Sequence, residues 1–141
     1  MASDIALLGF LHTEQLHGYE IYQRFSKLPG LWEIWRIKQS RLYAMLARLE
    51  SKGLIQANTL PQENRPARKI FRISKAGREA YQTWLVQPVD NGREFRLEFL
   101  VKLFFAVQEG PQTKNELIDS QIAACNSWLN EEQRALQSLE A

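Results

Sequence analysis

The sequence predicts a mostly α-helical chain that carries one small β-hairpin, and three observations point there. Three segments between residues 5 and 52 repeat apolar residues at three- and four-residue intervals. The pattern then changes at Leu54 to two extended runs around the turn-rich Pro61-Gln-Glu-Asn-Arg-Pro66. Helical spacing returns from Ser74 onward.

Taken in order, Ile5-Ala-Leu-Leu-Gly-Phe-Leu11 carries a wide apolar stripe and predicts a buried first helix that stops near His12-Thr13. Ile21, Phe25 and Leu28 recur at i, i+4, i+7, which predicts a second helix over Gly18 to Leu28, ended by Pro29-Gly30. The aromatic and branched run Leu31 to Ile37 reads as an extended or irregular connection. A third helix is expected from Ser40, its cap, to Lys52, with Leu42, Met45, Leu46 and Leu49 on one face and Gly53 just past its end. Leu54 to Leu60 and Lys69 to Ile73 read as two strands joined by an exposed loop, and Ser74 is placed to cap a fourth helix running to Leu85.

Turn residues cluster at Val89-Asp-Asn-Gly92, which divides the chain into residues 1–88 and 89–141. Beyond this joint, the apolar residues of Arg93 to Gln108 nearly encircle a helix that must bury more than one side. After Gly110-Pro111, a long amphipathic helix is expected over Thr113 to Leu139, with Thr113 and Glu116 spaced as a capping box.

The 141 residues are 45% apolar and 24% charged, the composition of an ordinary soluble domain. One cysteine, Cys125, and two histidines exclude a disulfide framework within one chain and the usual structural zinc sites, so no metal is expected. Cys125 reads as a small buried hydrophobe rather than a thiol sensor, because no cation flanks it closely. No apolar run approaches the length of a membrane span, and Met1-Ala-Ser-Asp4 lacks a signal peptide's positive region, so a cytoplasmic location is expected.

The net charge of +2 hides an asymmetry. Residues 1–89 hold 13 Lys+Arg against 7 Asp+Glu, giving +6, while residues 90–141 hold 5 against 9, giving −4. From Arg36 to Arg78 there are 11 basic residues and two acidic ones, the footprint of a phosphate-binding surface.

Three helices followed by a basic hairpin are the parts of a winged helix-turn-helix, whose third helix enters the DNA major groove while the wing touches backbone or minor groove. Lys38-Gln39-Ser40-Arg41-Leu42-Tyr43 brings cationic, amide and hydroxyl groups to one helix N-terminus, the chemistry that base edges and phosphates require. In the wing, Arg65, Arg68 and Lys69 concentrate three cations, whose contact with DNA counterion release would favour.

Residues Ile5 to Leu85 resemble the N-terminal domain of the PadR family of bacterial transcriptional regulators. The resemblance is carried by Leu7-Leu-Gly9, His17-Gly-Tyr-Glu-Ile21, Leu42-Tyr43, Leu46-Ala-Arg-Leu-Glu50, Gly53-Leu-Ile55 and Arg68-Lys-Ile-Phe-Arg-Ile-Ser-Lys-Ala-Gly-Arg78. It implies a homodimeric repressor on a pseudo-palindromic operator, released by a ligand or another signal. It also implies that Ser40, Arg41 and Tyr43 meet DNA from the recognition helix, Tyr19 meets a phosphate from the second helix, and Arg65, Arg68 and Lys69 act from the wing. Ser40-Arg41 stands where the family usually has a small pair such as Gly-Ser, and Lys69-Ile-Phe-Arg72 replaces its doubled tyrosine, so the base sequence read here is this chain's own.

The two C-terminal helices are expected to dimerise by an isologous contact that sets half-site spacing. Trp84, Phe95, Phe99, Phe104, Phe105 and Trp128 are candidates either for that interface or for a pocket taking a small aromatic effector. An enzyme is not expected, since no phosphate loop, nucleophile elbow or metal-ligand cluster is present in the sequence, and no cofactor is implied. The competing reading is a winged-helix protein-interaction module without specific DNA binding.

Overall fold

The apolar repeat at the start of the chain folds as a 3₁₀ turn, Asp4–Leu7, that runs into the short helix α1, Leu8–Leu11. The computed structural model describes residues 4–89 and 95–140. These fall into two units, Met1–Trp84 and Leu85–Ala141.

In the first unit, a two-residue strand β1 (Leu16–His17) leads into α2 (Gly18–Lys27). The expected irregular connection is instead partly helical, α3 (Pro29–Ile34). Proline at the first helical position lacks only an N–H that would go unpaired there, so Pro29 ends one helix and starts the next. Leu31 is fully buried, and Phe25 is the hub of a ring cluster, with centroids 6.0 Å from Phe10, 5.7 Å from Trp32 and 5.4 Å from Trp35. Burial of this run, rather than strand propensity, decided its conformation.

Helix α4 (Gln39–Ser51) buries Leu42, Met45, Leu46 and Leu49. Its cap is Lys38, two residues earlier than the sequence suggested, and Ser40 sits inside the first turn instead of capping. The helix ends as expected before Gly53, whose φ of +74° is the left-handed conformation that closes helices.

The hairpin strands are longer than expected, β2 (Ile55–Gln62) and β3 (Arg65–Ile73), so most of the anticipated loop is strand. The ladder is irregular between Leu60 and Gln62, where Pro61 has no N–H to give. The antiparallel sheet runs β1-β3-β2, with Leu16 opposite Phe71 and His17 opposite Ile70. Ser74 caps α5 (Lys75–Val86) by accepting from the Gly77 N–H at 3.0 Å, as its position predicted. Arg78 then ties α5 to the end of α1 through the His12 carbonyl at 3.1 Å.

The second unit contains α6 (Phe95–Glu109) and α7 (Pro111–Glu140). Helix α7 starts two residues before the expected Thr113, with Pro111 first, so Thr113 lies within the helix and no capping box forms there. Within this chain α6 buries Val101, Lys102, Phe105 and Ala106, while its other apolar residues are half-exposed, except Val107, which is exposed. Beyond Val89, the expected joint lies outside the described residues. Side chains of α6 and α7 satisfy the backbone just before it. Lys102 Nζ donates to the Gln87 carbonyl at 2.8 Å, Ser120 Oγ donates to the Val86 carbonyl at 2.8 Å, and the Val89 N–H donates to Gln121 Oε1 at 2.7 Å. Cys125 is half-buried, 3.8 Å from Gln121 Nε2.

Gln121 is buried, so Gln121→Leu should leave the Val89 N–H without its partner and destabilise the second unit by about 1–3 kcal/mol. A lower urea midpoint at unchanged slope is the expected reading.

Candidate nucleic-acid interface

Packing of α4 by Leu42, Met45, Leu46 and Leu49 turns its opposite face outward, and on that face stand Lys38, Ser40, Arg41 and Tyr43. Gln39 is half-buried beside them and donates from Nε2 to the Tyr43 hydroxyl at 3.1 Å. Lys38 makes no side-chain cap bond, so the first N–H groups of α4 remain directed out of the helix end. Tyr19 is 53% exposed and Tyr43 40% exposed, unusual for aromatic residues this close to a core.

The first turn of α2, the outer face of α4 and the middle of β3 converge on one cleft of about 270 Å³, lined by His17, Gly18, Tyr19, Tyr43, Arg68 and Lys69 with Phe71. Two phenols and two cations therefore share a single concavity, though they lie up to 50 residues apart in the chain. Lys38, Gln39, Ser40 and Arg41 sit along the same helix as Tyr43 but outside the cleft wall. Arg65 belongs to β3, and its side chain lies outside the described residues.

Not every cation of the basic stretch is equally available. Arg48 donates from Nε and Nη2 to the Asp4 carboxylate at 2.7 and 3.0 Å, which pushes its pKa further above the ordinary arginine value and ties α4 to the N-terminal turn. Arg72 Nε donates to Gln56 Oε1 at 2.9 Å across the β2–β3 ladder. Lys69 Nζ lies 3.8 Å from Glu50 Oε2, a loose exposed pair that an approaching phosphate can outcompete. Glu50, His17 and Gly18 were not among the site candidates read from the sequence, although they border the cleft or pair with its cations. Glu50 follows Tyr43 by seven residues, two helical turns on the same face, and that spacing was the available signal.

Of the aromatic candidates, Trp84 lies in the first unit, buried and stacked on Tyr81 at 6.4 Å. In the second unit, Phe95 and Phe99 stack at 5.1 Å with planes 9° apart, and Trp128 meets Phe95 edge-on at 6.3 Å, all three half-exposed. Phe105 is buried and Phe104 packs edge-on to it at 5.2 Å. Among the described residues there is no group of side chains that could hold a metal ion, and no helix is long and apolar enough to cross a membrane.

Residues 7–83 match the model of the transcriptional regulator PadR-like family. The negative transcriptional regulator PadR of Bacillus subtilis is 26% identical over 136 residues, 96% of this chain and 74% of that protein. The crystal structure of Bacillus subtilis PadR in complex with operator DNA superposes with a TM-score of 0.58 at 25% identity, covering 98% of this chain and 76% of that one. A Streptococcus mutans protein shares the fold with a TM-score of 0.59 at 24% identity, covering 99% and 81%.

The wing turn is held by Asn64 at φ +61°, a conformation Asn tolerates and β-branched residues do not. Asn64→Val should therefore destabilise the hairpin by about 1–2 kcal/mol, whereas Asn64→Gly should be neutral or better, both measured by urea unfolding.

Proposed function

The chain belongs to the PadR-like family of transcriptional regulators, and we propose that it acts as a homodimeric repressor gripping a pseudo-palindromic operator with α4 and the wing of each copy. The observation that carries this reading is the single cleft that gathers Tyr19, Tyr43, Arg68 and Lys69 beside the N-terminus of α4. Phenol hydroxyls, guanidinium and ammonium are phosphate partners, and a strand of DNA backbone fitting against the cleft would set the depth at which α4 enters the major groove. At that depth Arg41 is the candidate for bidentate contact with a guanine edge, with Ser40, Gln39 and Lys38 completing the contacts of the first turn. Arg65, at the tip of the wing, would reach the flanking backbone or minor groove. In this reading residues 1–88 bind DNA and residues 89–141 dimerise.

The second copy is suggested by α7. From Leu129 to Glu140 every residue is exposed, yet Ile122, Leu129 and Leu136 recur at seven-residue intervals, followed by Leu139. Twelve residues of helix without tertiary contacts are marginal in water, and a seven-residue apolar repeat is the seam of paired helices. Half-exposed Phe95, Phe99 and Trp128 supply further apolar area for the same twofold contact. They also offer a flat aromatic face, and a planar aromatic effector stacking there would alter the dimer and hence the half-site spacing.

Replacing Arg68 and Lys69 together by Ala should weaken DNA binding across sequences. It should also reduce the slope of log affinity against log salt by about 3–4, since a dimer loses four phosphate-neutralising cations. Leu129→Asp with Leu136→Asp should shift the sedimenting species from dimer to monomer and weaken operator binding in parallel; a dimer that survives both changes would remove α7 from the interface.

A further inference from the structure

Gly18 occupies the first position of α2 and is buried, with no positive φ to demand glycine. Space demands it instead. A Cβ built there would stand 2.5 Å from Tyr43 Cε1 and 3.1 Å from Cδ1, with Leu46 Cδ1 at an ordinary 3.6 Å. The Cδ1–Cε1 edge of the Tyr43 ring therefore abuts the bare backbone of the first turn of α2, which fixes the ring on the wall of the cleft. At its far end, the hydroxyl accepts from Gln39 Nε2 at 3.1 Å, which leaves its own proton to donate outward.

We propose that Gly18 is a positioning residue for DNA binding, whose missing side chain seats the Tyr43 ring so that Gln39 can orient its hydroxyl toward a DNA phosphate. This rests on the reading of the cleft as a phosphate seat. The contact is ring against backbone on a 40% exposed side chain, so an added methyl displaces the ring outward, where it has room, and the fold persists. Alanine is also the better residue within a helix and narrows the unfolded ensemble. Affinity and stability should thus move apart.

The test is a double-mutant cycle on the full chain, reading anisotropy of a fluorescein-labelled duplex from upstream of its own gene together with the thermal midpoint. Gly18→Ala is expected to melt at or above the parent temperature and to bind DNA about 10- to 100-fold more weakly, the loss of one hydrogen bond to a charged group. Tyr43→Ala should lose a similar amount, and Gly18→Ala added to it should lose nothing more. If Tyr43→Ala binds like the parent, the phosphate seat itself is wrong. If Tyr43→Ala is weak but Gly18→Ala binds like the parent, or adds a full further loss in the Tyr43→Ala background, only the positioning role is overturned. A Gly18→Ala chain that unfolds, with folding restored by Tyr43→Ala, would overturn it too, by making the contact one of packing.

Discussion

The pairing of two residues of β1 with β3, Leu16 with Phe71 and His17 with Ile70, is the constraint on which the rest of the first unit depends. It joins the residues just before α2 to the returning strand of the wing, with Leu16 and Phe71 both buried. A two-stranded hairpin alone is marginal in water, and a third strand with a buried face steadies it. Because α2 starts at the next residue, the same pairing brings Tyr19 within one cleft of Arg68 and Lys69. The helix-turn-helix and the wing thereby form one continuous surface rather than two tethered ones.

Electrostatics then sorts the cations on that surface. Eleven basic residues lie between Arg36 and Arg78, but Arg48 is committed to Asp4 and Arg72 to Gln56. Lys69 has a loose pair with Glu50, long enough to yield to a phosphate that binds more closely. Sequence charge density alone therefore overstates how many of these cations are without a protein partner close by. Residues 90–141 are acidic on balance, and Ile122, Leu129, Leu136 and Leu139 stand exposed on α7 among them.

Much of this was legible in the sequence where periodicity was strong. The buried face of α4, the Ser74 cap and the Gly53 stop follow from spacing and from the known chemistry of helix ends. What escaped was short or set by tertiary contact. Two residues of β1 carry no readable period, and α3 looks strand-like residue by residue because burial around Phe25 outweighed local preference. Caps slipped at Ser40 and Thr113 for a related reason, since Lys38 and Pro111 could open those helices without a side-chain oxygen. The site residues were nameable one at a time, but their shared cleft was not, because it depends on the β1–β3 register.

The most direct test is an anisotropy titration of the full chain against a duplex from upstream of its own gene and a scrambled duplex of equal length, repeated across rising salt. A sequence-specific regulator built on this surface should prefer its own duplex by about a thousandfold or more at physiological salt. It should also lose about three to four decades of affinity between roughly 50 and 200 mM, as expected for about eight neutralised phosphates. Equal binding to both duplexes at every operator-sized upstream segment, or affinity indifferent to salt, would contradict the account and leave the winged helix as a protein-interaction module.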